Sequence, residues 1–273
     1  MEWRIYTDGA LPGPDNMARD SHLLDQVEAG APPALRLYGW AGHVLSVGHA
    51  QKVGREINLA ACAQRGVPLV RRPTGGRAVL HGDDLTYAVI APTGLPPFEG
   101  GILPVYKALA EVFTHFLRGL GLEPRAKEYA GREQAALASA ICFATPAAFE
   151  MLVDGRKLIG SAQRMRQRAF LQHGSLPLRP QFALLEALFH GAREDTLRAQ
   201  MTDLETLGAL PADGSPGLAR RLAESFSEVL GVRFTPGEWS AEDEAAVRAR
   251  AAGLLLAPGA ADAPTGAGGA TRP

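Results

Sequence analysis

From Leu69 to Pro92 the chain reads Leu-Val-Arg-Arg-Pro-Thr-Gly-Gly-Arg-Ala-Val-Leu-His-Gly-Asp-Asp-Leu-Thr-Tyr-Ala-Val-Ile-Ala-Pro, a basic, glycine-hinged turn set between two apolar runs. Leu69 and Val70 bring the chain out of an interior, Pro73 and Gly75-Gly76 turn it, and Leu85 to Ala91 is apolar enough for a central strand. The glycines by themselves explain no more than a turn, because glycine accepts positive φ at little steric cost. Arg71, Arg72, Thr74, Arg77 and His81 crowd the same turn, however, and offer donors and positive charge where two residues without side chains let a ligand approach the backbone. Chemistry on loops held by a rigid sheet is the usual division of labour, so the stretch is a candidate ligand loop.

Around it the periodicity alternates between strand and helix. Asp15 opens a helix that runs to Gly30, Leu35 to Trp40 reads as a half-buried strand, and Val44 to Gly48 is expected to pair with it. Asn58 caps a short helix ending at Gly66, and Pro104 starts an amphipathic helix carrying Val105, Leu109, Val112, Phe113, Phe116 and Leu117 on one face. Tyr129 to Ala140 is small, polar and aperiodic, the pattern of a loop, with Cys142 at its end. Ala148 to Val153 and Arg156 to Gln163 flank Asp154-Gly155, which favours a tight type I′ hairpin turn, and Ala169 to Leu178 adds a strand. Helical patterns follow over Phe182 to His190, Glu194 to Leu207 and Gly217 to Gly231, and Ser240 caps a last helix to about Ala252. The expected fold is therefore α+β, a single catalytic-type domain over residues 1–252 with a mixed or antiparallel sheet flanked by helices and a helical C-terminal part. Residues 253–273 are rich in Ala, Gly and Pro and predict a disordered tail.

Composition narrows the function. The 273 residues are 46% hydrophobic and 21% charged, which suits a soluble globular protein. Lys and Arg number 28 against 29 Asp and Glu, so no net charge recommends nucleic acid or an anionic membrane as partner. Without a signal-like N-terminus or a stretch long enough to span a bilayer, the expected location is the cytoplasm. Cys62 and Cys142 are too few for a disulfide framework and lack metal-ligand spacing, so free thiols and no metal are expected.

The Arg-Arg-Pro-Thr-Gly-Gly-Arg turn with His81, the Cys142-Phe143 pair, and the run Asp154-Gly155-Arg156-Lys157-Leu158-Ile159-Gly160-Ser161-Ala162-Gln163 stand together with Leu171-Gln172-His173-Gly174-Ser175. In that combination the chain resembles the lipoate and biotin protein ligase superfamily. Within it, the chain is similar to the octanoyltransferases of lipoate biosynthesis that use a cysteine preceding a Gly-Arg-Lys hairpin.

The resemblance implies transfer of an octanoyl group from octanoyl-acyl carrier protein to a lysine on a lipoyl-domain protein, either glycine-cleavage H protein or the E2 subunit of a 2-oxoacid dehydrogenase. No cofactor is implied, because a thioester passes its acyl group to a thiolate and then to an amine without ATP. Cys142 becomes the nucleophile and Lys157 its partner, an ammonium that favours the thiolate and can stabilise an oxyanion. Arg71, Thr74, Gly75, Gly76, Arg77 and His81 then line the acyl and carrier site, and Gly160 and Ala162 keep the opposite wall small. Read without the resemblance, a lone cysteine is first a small buried hydrophobe and a lysine after Asp-Gly a solvated charge. Cys62 is read as just such a hydrophobe, His81 reads more readily as a structural histidine than as a proton-transfer group, and a structural role explains His173 equally well.

Three other readings share these residues: an ATP-dependent lipoate-protein ligase, an amidotransferase that moves the acyl group between lipoyl proteins, and a non-catalytic binder of lipoyl-domain proteins. Ligases of this superfamily carry a third glycine where this chain has Arg77 and need no cysteine at Cys142. The segment Ala144-Thr145-Pro146-Ala147-Ala148-Phe149-Glu150 is less polar than the corresponding stretch of related transferases.

Overall fold

The computed structural model describes residues 1–128 and 149–256. Cys142 and the segment 129–140, expected to form a loop, lie outside the described residues, as does the chain beyond 256.

Twelve strands are present among the described residues and divide over two sheets. The larger sheet has the order β11-β1-β2-β6-β10-β9-β8-β7, built from β1 (Glu2–Leu11), β2 (Ala34–Trp40), β6 (Asp84–Pro92), β7 (Pro124–Glu128), β8 (Phe149–Val153), β9 (Arg156–Met165), β10 (Ala169–Pro177) and β11 (Arg233–Pro236). Only the β11-β1-β2 end is parallel, and every other pairing is antiparallel. The smaller sheet has the order β12-β4-β3-β5, from β3 (Val44–Val47), β4 (Leu69–Arg71), β5 (Val79–His81) and β12 (Leu255–Leu256).

Central strand β6 is buried along Asp84 to Ala91, as its apolar run predicts, and lies between β2 and β10. One face of the large sheet packs on α3 (Ile102–Gly119), whose Val105, Leu109, Val112, Phe113, Phe116 and Leu117 all point into the core at helical spacing. Leu218, Leu222 and Phe226 of α6 (Gly214–Leu230) close the same core. On the other face lies α1 (Gly13–Glu28), which contributes Met17, Leu23, Leu24 and Val27. A separate core forms where the small sheet meets Cys62 of α2 (Leu59–Gln64), Phe182, Leu185 and Leu188 of α4 (Phe182–Leu188) and Leu197 of α5 (Glu194–Gln200). Helix α7 (Ala241–Ala251) starts in a reciprocal Ser240–Asp243 capping box and packs on α1.

Several expectations meet a different outcome. Val44–Val47 does not pair with β2: it forms the middle of the small sheet, between β4 and β5. The chain after Arg77 makes its own short strand before β6, so two apolar runs become three strands. The helix expected over Glu194 to Leu207 ends at Gln200, because Met201 takes up a bridge to Lys157 and the amide of Thr202 donates to the Lys157 carbonyl at 2.9 Å. Order also extends beyond residue 252, since Leu255 and Leu256 pair with Val70 and Leu69 and cover the outer edge of β4. The Asp154-Gly155 turn has the positive φ values, 51° and 75°, that a type I′ hairpin requires.

No helix among the described residues is long and apolar enough to cross a membrane.

Candidate active site

Strand β4 delivers the glycine turn to the junction of the two sheets, and the turn's own arginines build it. Arg71 is buried, and its Nη1 donates to the carbonyls of Gly48 at 2.8 Å and His49 at 3.0 Å. Arg72 Nη2 donates to the carbonyls of Gly75 at 2.7 Å and Arg77 at 2.6 Å, while its Nη1 reaches the carbonyl of Ser46 at 2.9 Å. The two guanidinium groups thus satisfy carbonyls that a sharp turn would otherwise leave unpaired. Arg77 extends the other way and pairs with Glu56. Across the turn, His49 N donates to the Thr74 carbonyl at 2.8 Å, and a Cβ on Gly48 would stand 2.0 Å from the Gly76 carbonyl oxygen. Gly76 itself has φ +86°, so one glycine supplies the turn and the other the close approach.

Beneath the turn, β9 and β10 supply a wall of small residues. Gly160 and Ala162 line the same cavity as Arg72, His81, His173 and Trp40. A Cβ on Gly174 would meet the Gly160 carbonyl oxygen and Tyr87 Cε1, each at 2.6 Å, so only glycine fits there. Tyr87 OH lies 2.6 Å from Ser161 Oγ, and burial pushes its phenol up to about 12.

Two buried carboxylate–imidazole–hydroxyl chains border this cavity. In the first, His173 Nδ1 lies 2.8 Å from Asp20 Oδ2 and His173 Nε2 lies 2.7 Å from Thr74 Oγ1. Burial lowers the His173 imidazole despite the opposing pull of Asp20. Burial would raise the Asp20 carboxyl, but the hydrogen bond from His173 and the Arg36 charge hold it below its usual value. A neutral imidazole beside an ionised carboxylate carries its proton on Nδ1, so Nε2 accepts from the Thr74 hydroxyl. Tyr38 OH also donates to Asp20, at 2.9 Å.

In the second chain, His81 Nδ1 donates to Asp84 Oδ2 at 2.8 Å, and His81 Nε2 lies 2.8 Å from Ser46 Oγ. Asp84 also accepts from Ser175 Oγ at 2.7 Å, Thr86 Oγ1 at 2.9 Å and the Gly82 amide at 3.0 Å. Burial would raise its carboxyl; the contact with His81 and these donors outweigh that and hold it low. Trp40 stacks on the His81 ring, with centroids 3.9 Å apart and planes 16° apart.

Of the residues singled out in the sequence, His81, Gly160 and Ala162 line the cavity, and Thr74 is tied to its wall through His173. Gly75 and Gly76 do not line it but follow Arg72, which bonds the Gly75 carbonyl, whereas the Arg71 and Arg77 side chains are engaged with the 48–56 segment. Lys157 is buried three residues upstream of Gly160 on β9 and donates a hydrogen bond to Glu150. Cys62, the other cysteine, is buried in α2, and burial pushes its thiol up to about 11, which keeps it protonated and inert. Sequence reasoning misses Asp20, Asp84 and Ser46. Asp84 carries a visible signal in its i, i+3 spacing to His81; Asp20 carries none, being 153 residues from the histidine it orients.

A family model described as the lipoyl protein ligase A/B catalytic domain matches residues 12–214. The chain is 38% identical over 252 residues to the octanoyltransferase LipM of Kyrpidia tusciae, covering 88% of this chain and 92% of that protein. It is 38% identical over 246 residues to the octanoyltransferase LipM of Moorella thermoacetica, with coverages of 86% and 89%. Among solved structures it resembles a lipoate-protein ligase A bound with ATP, at TM-score 0.77 and 23% identity over 93% of this chain and 95% of that one. It also resembles a bipartite lipoate protein ligase from Thermoplasma acidophilum, solved with its E2 lipoyl domain, at TM-score 0.76, 21% identity and 93% coverage of both chains. At those identities the structural likeness speaks for the fold.

Proposed function

The chain belongs to the lipoyl protein ligase A/B catalytic domain family, and from that premise we propose that it moves an octanoyl group from octanoyl-acyl carrier protein to a lipoyl-domain lysine through a Cys142 thioester. It is an acyltransferase of protein lipoylation: relatives 38% identical over most of their length are octanoyltransferases. Its protein partners are lipoyl-domain proteins, with glycine-cleavage H protein and 2-oxoacid dehydrogenase E2 as the acceptors proposed.

The observation that carries this reading is one cavity lined both by Arg72 and His81, which flank the glycine turn in sequence, and by Gly160 and Ala162, on the strand that also holds Lys157. In the proposed reaction the Cys142 thiolate attacks the carrier thioester carbonyl, a new C–S bond forms, and the carrier thiolate leaves. The acceptor lysine amine then attacks the acyl-cysteine, the C–N bond forms as the C–S bond breaks, and the amine's proton passes to the leaving Cys142 sulfur. Lys157 offers a cation to the thiolate and to the oxyanion of each tetrahedral intermediate. In this reading the backbone at Gly75 and Gly76 faces the carrier arm, and the small residues Gly160 and Ala162 face the acyl chain.

Incubation with octanoyl-acyl carrier protein tests this directly. The expected product is a protein heavier by one octanoyl group, labile to hydroxylamine and absent in Cys142→Ser. A protein that remains unmodified and acylates lipoyl domains only when ATP is added would instead be a ligase.

A further inference from the structure

The cavity that Gly160 and Ala162 line encloses about 30 Å³ and reaches across four adjacent strands of the large sheet, β2, β6, β10 and β9, with Met17 of α1 as a further wall. A water-sized group needs about 10–15 Å³, so there is room for about two such groups and not for a whole acyl chain. Most of the wall is tied in place. Tyr38 OH donates to Asp20 at 2.9 Å, Trp40 Nε1 donates to Thr86 Oγ1 at 2.8 Å, and Ser175 Oγ donates to Asp84 at 2.7 Å. His173 is held between Asp20 and Thr74, Ser46 lies against His81, and Arg72 is fixed by three backbone carbonyls. With the polar groups so engaged, the surface left to the cavity is mostly carbon. Met17 differs from its neighbours there. It is 1% exposed, has three rotatable bonds, and is the one long side chain of the lining with no hydrogen bond among the described residues.

We propose that Met17 is a specificity-determining residue that sets the length of the transferred acyl chain: this cavity takes the last carbons of the chain, and the Met17 thioether closes its end. The inference rests on the function proposed above and names what selects the acyl group. Strands lie about 4.8 Å apart, and an extended eight-carbon chain with bonds of about 1.5 Å is roughly 9 Å long, or about two strand spacings. A chain that enters over Gly160 and Ala162 of β9 and lies across the strands therefore ends over β10 and β6, where α1 packs. Two further methylenes would press on Met17 and on the core behind it, and two fewer would leave a void against it.

The test compares hexanoyl-, octanoyl- and decanoyl-acyl carrier protein as donors to a lipoyl domain in the full-length wild type, Met17→Ala and Met17→Phe. Met17→Ala removes the side chain beyond Cβ and opens the end of the cavity, so the decanoyl-to-octanoyl ratio of kcat/KM is expected to rise about tenfold or more. Met17→Phe fills that end, and the hexanoyl-to-octanoyl ratio is expected to rise by a similar factor. Ratios that do not move, or a loss shared equally by all three lengths, overturn the proposal, because a merely structural role for Met17 would not distinguish one chain from another. Should Met17→Ala not fold, the milder Met17→Val decides by the same ratio. Wild-type protein that transfers no octanoyl group from the carrier sinks the reading on which the inference rests. Met17 is then judged by thermal stabilisation with free hexanoic, octanoic and decanoic acids, which requires no transfer: octanoic acid should stabilise the wild type most and decanoic acid Met17→Ala most, and an unchanged ranking, or no stabilisation at all, counts against Met17.

Discussion

Thr74 Oγ1 lies 2.7 Å from His173 Nε2, and this one hydrogen bond joins the glycine turn to strand β10 across 99 positions of sequence. Thr74 is fully buried and His173 is backed by Asp20, so the turn is held by a chain of partners reaching α1.

Thr74→Val keeps the side-chain shape and removes the hydroxyl. His173 Nε2 is then buried without its donor, at a cost of about 1–3 kcal/mol. Urea denaturation should show this loss, and Thr74→Ser should restore most of it. Equal midpoints for the valine and serine variants would mean that the bond does not hold the turn.

Stability should fall with pH in two stages. His173 has a folded-state value below its ordinary 6.5, so the unfolded chain takes up the proton first and stability drains away as pH falls below about 6.5. Asp20 and Asp84 are held below 3.8, so their contribution is complete above that value and lost as pH falls through their lower folded-state values. Denaturation midpoints at pH 7.5, 5.5 and 3.5 should decrease in that order. In His173→Gln the step between 7.5 and 5.5 should shrink, and a step of undiminished size would assign it to another group.

Gly48→Ala places a Cβ 2.0 Å from the Gly76 carbonyl oxygen, and backbone stands on both sides of the clash. The turn must shift, and a shift of about 1 Å costs on the order of 100-fold in transfer rate. Gly119→Ala, at the end of α3 with nothing within 4 Å of the added carbon, should leave the rate unchanged. Steady-state octanoyl transfer compares the two, and similar rates would show that the turn's placement does not matter to the reaction.

Asp84→Asn replaces a carboxylate that accepts from His81, Thr86, Ser175 and the Gly82 amide with a group that must turn its own donors toward some of them. A loss of about 3 kcal/mol in folding stability is expected, with the His81 ring freed from one of its two partners. Calorimetry should show a clear drop in Tm; a variant as stable as the parent would rule out Asp84 as the anchor of His81.

Strongly periodic elements are legible in the sequence itself. The apolar face of α3 recurs at 3.6-residue spacing, and Asp154-Gly155 announces a type I′ turn by side-chain chemistry alone. Asn58 accepts from the Ala61 amide as an N-cap should. The elements that local pattern does not reveal are those whose stability is borrowed: β11 is four residues long and β12 two, and both exist because an edge strand stands ready to pair with them. Val44–Val47 is legible as a strand but not in its partner, because a short apolar run carries no record of which edge it joins.

In the site, residue chemistry is legible and residue partnership is not. Local sequence alone marks a basic turn with glycines, a hairpin carrying Lys157 and a strand carrying His173, since turn geometry and side-chain type are properties of a few consecutive residues. Only the tertiary structure sets Asp20 against His173, turns Arg72 onto the carbonyls of its own loop and Arg71 onto those of Gly48 and His49, and places Glu150 on Lys157. A buried polar group must find a partner, and which groups are within reach depends on the neighbours that sheet pairing and helix packing create, not on the residues beside it in the chain.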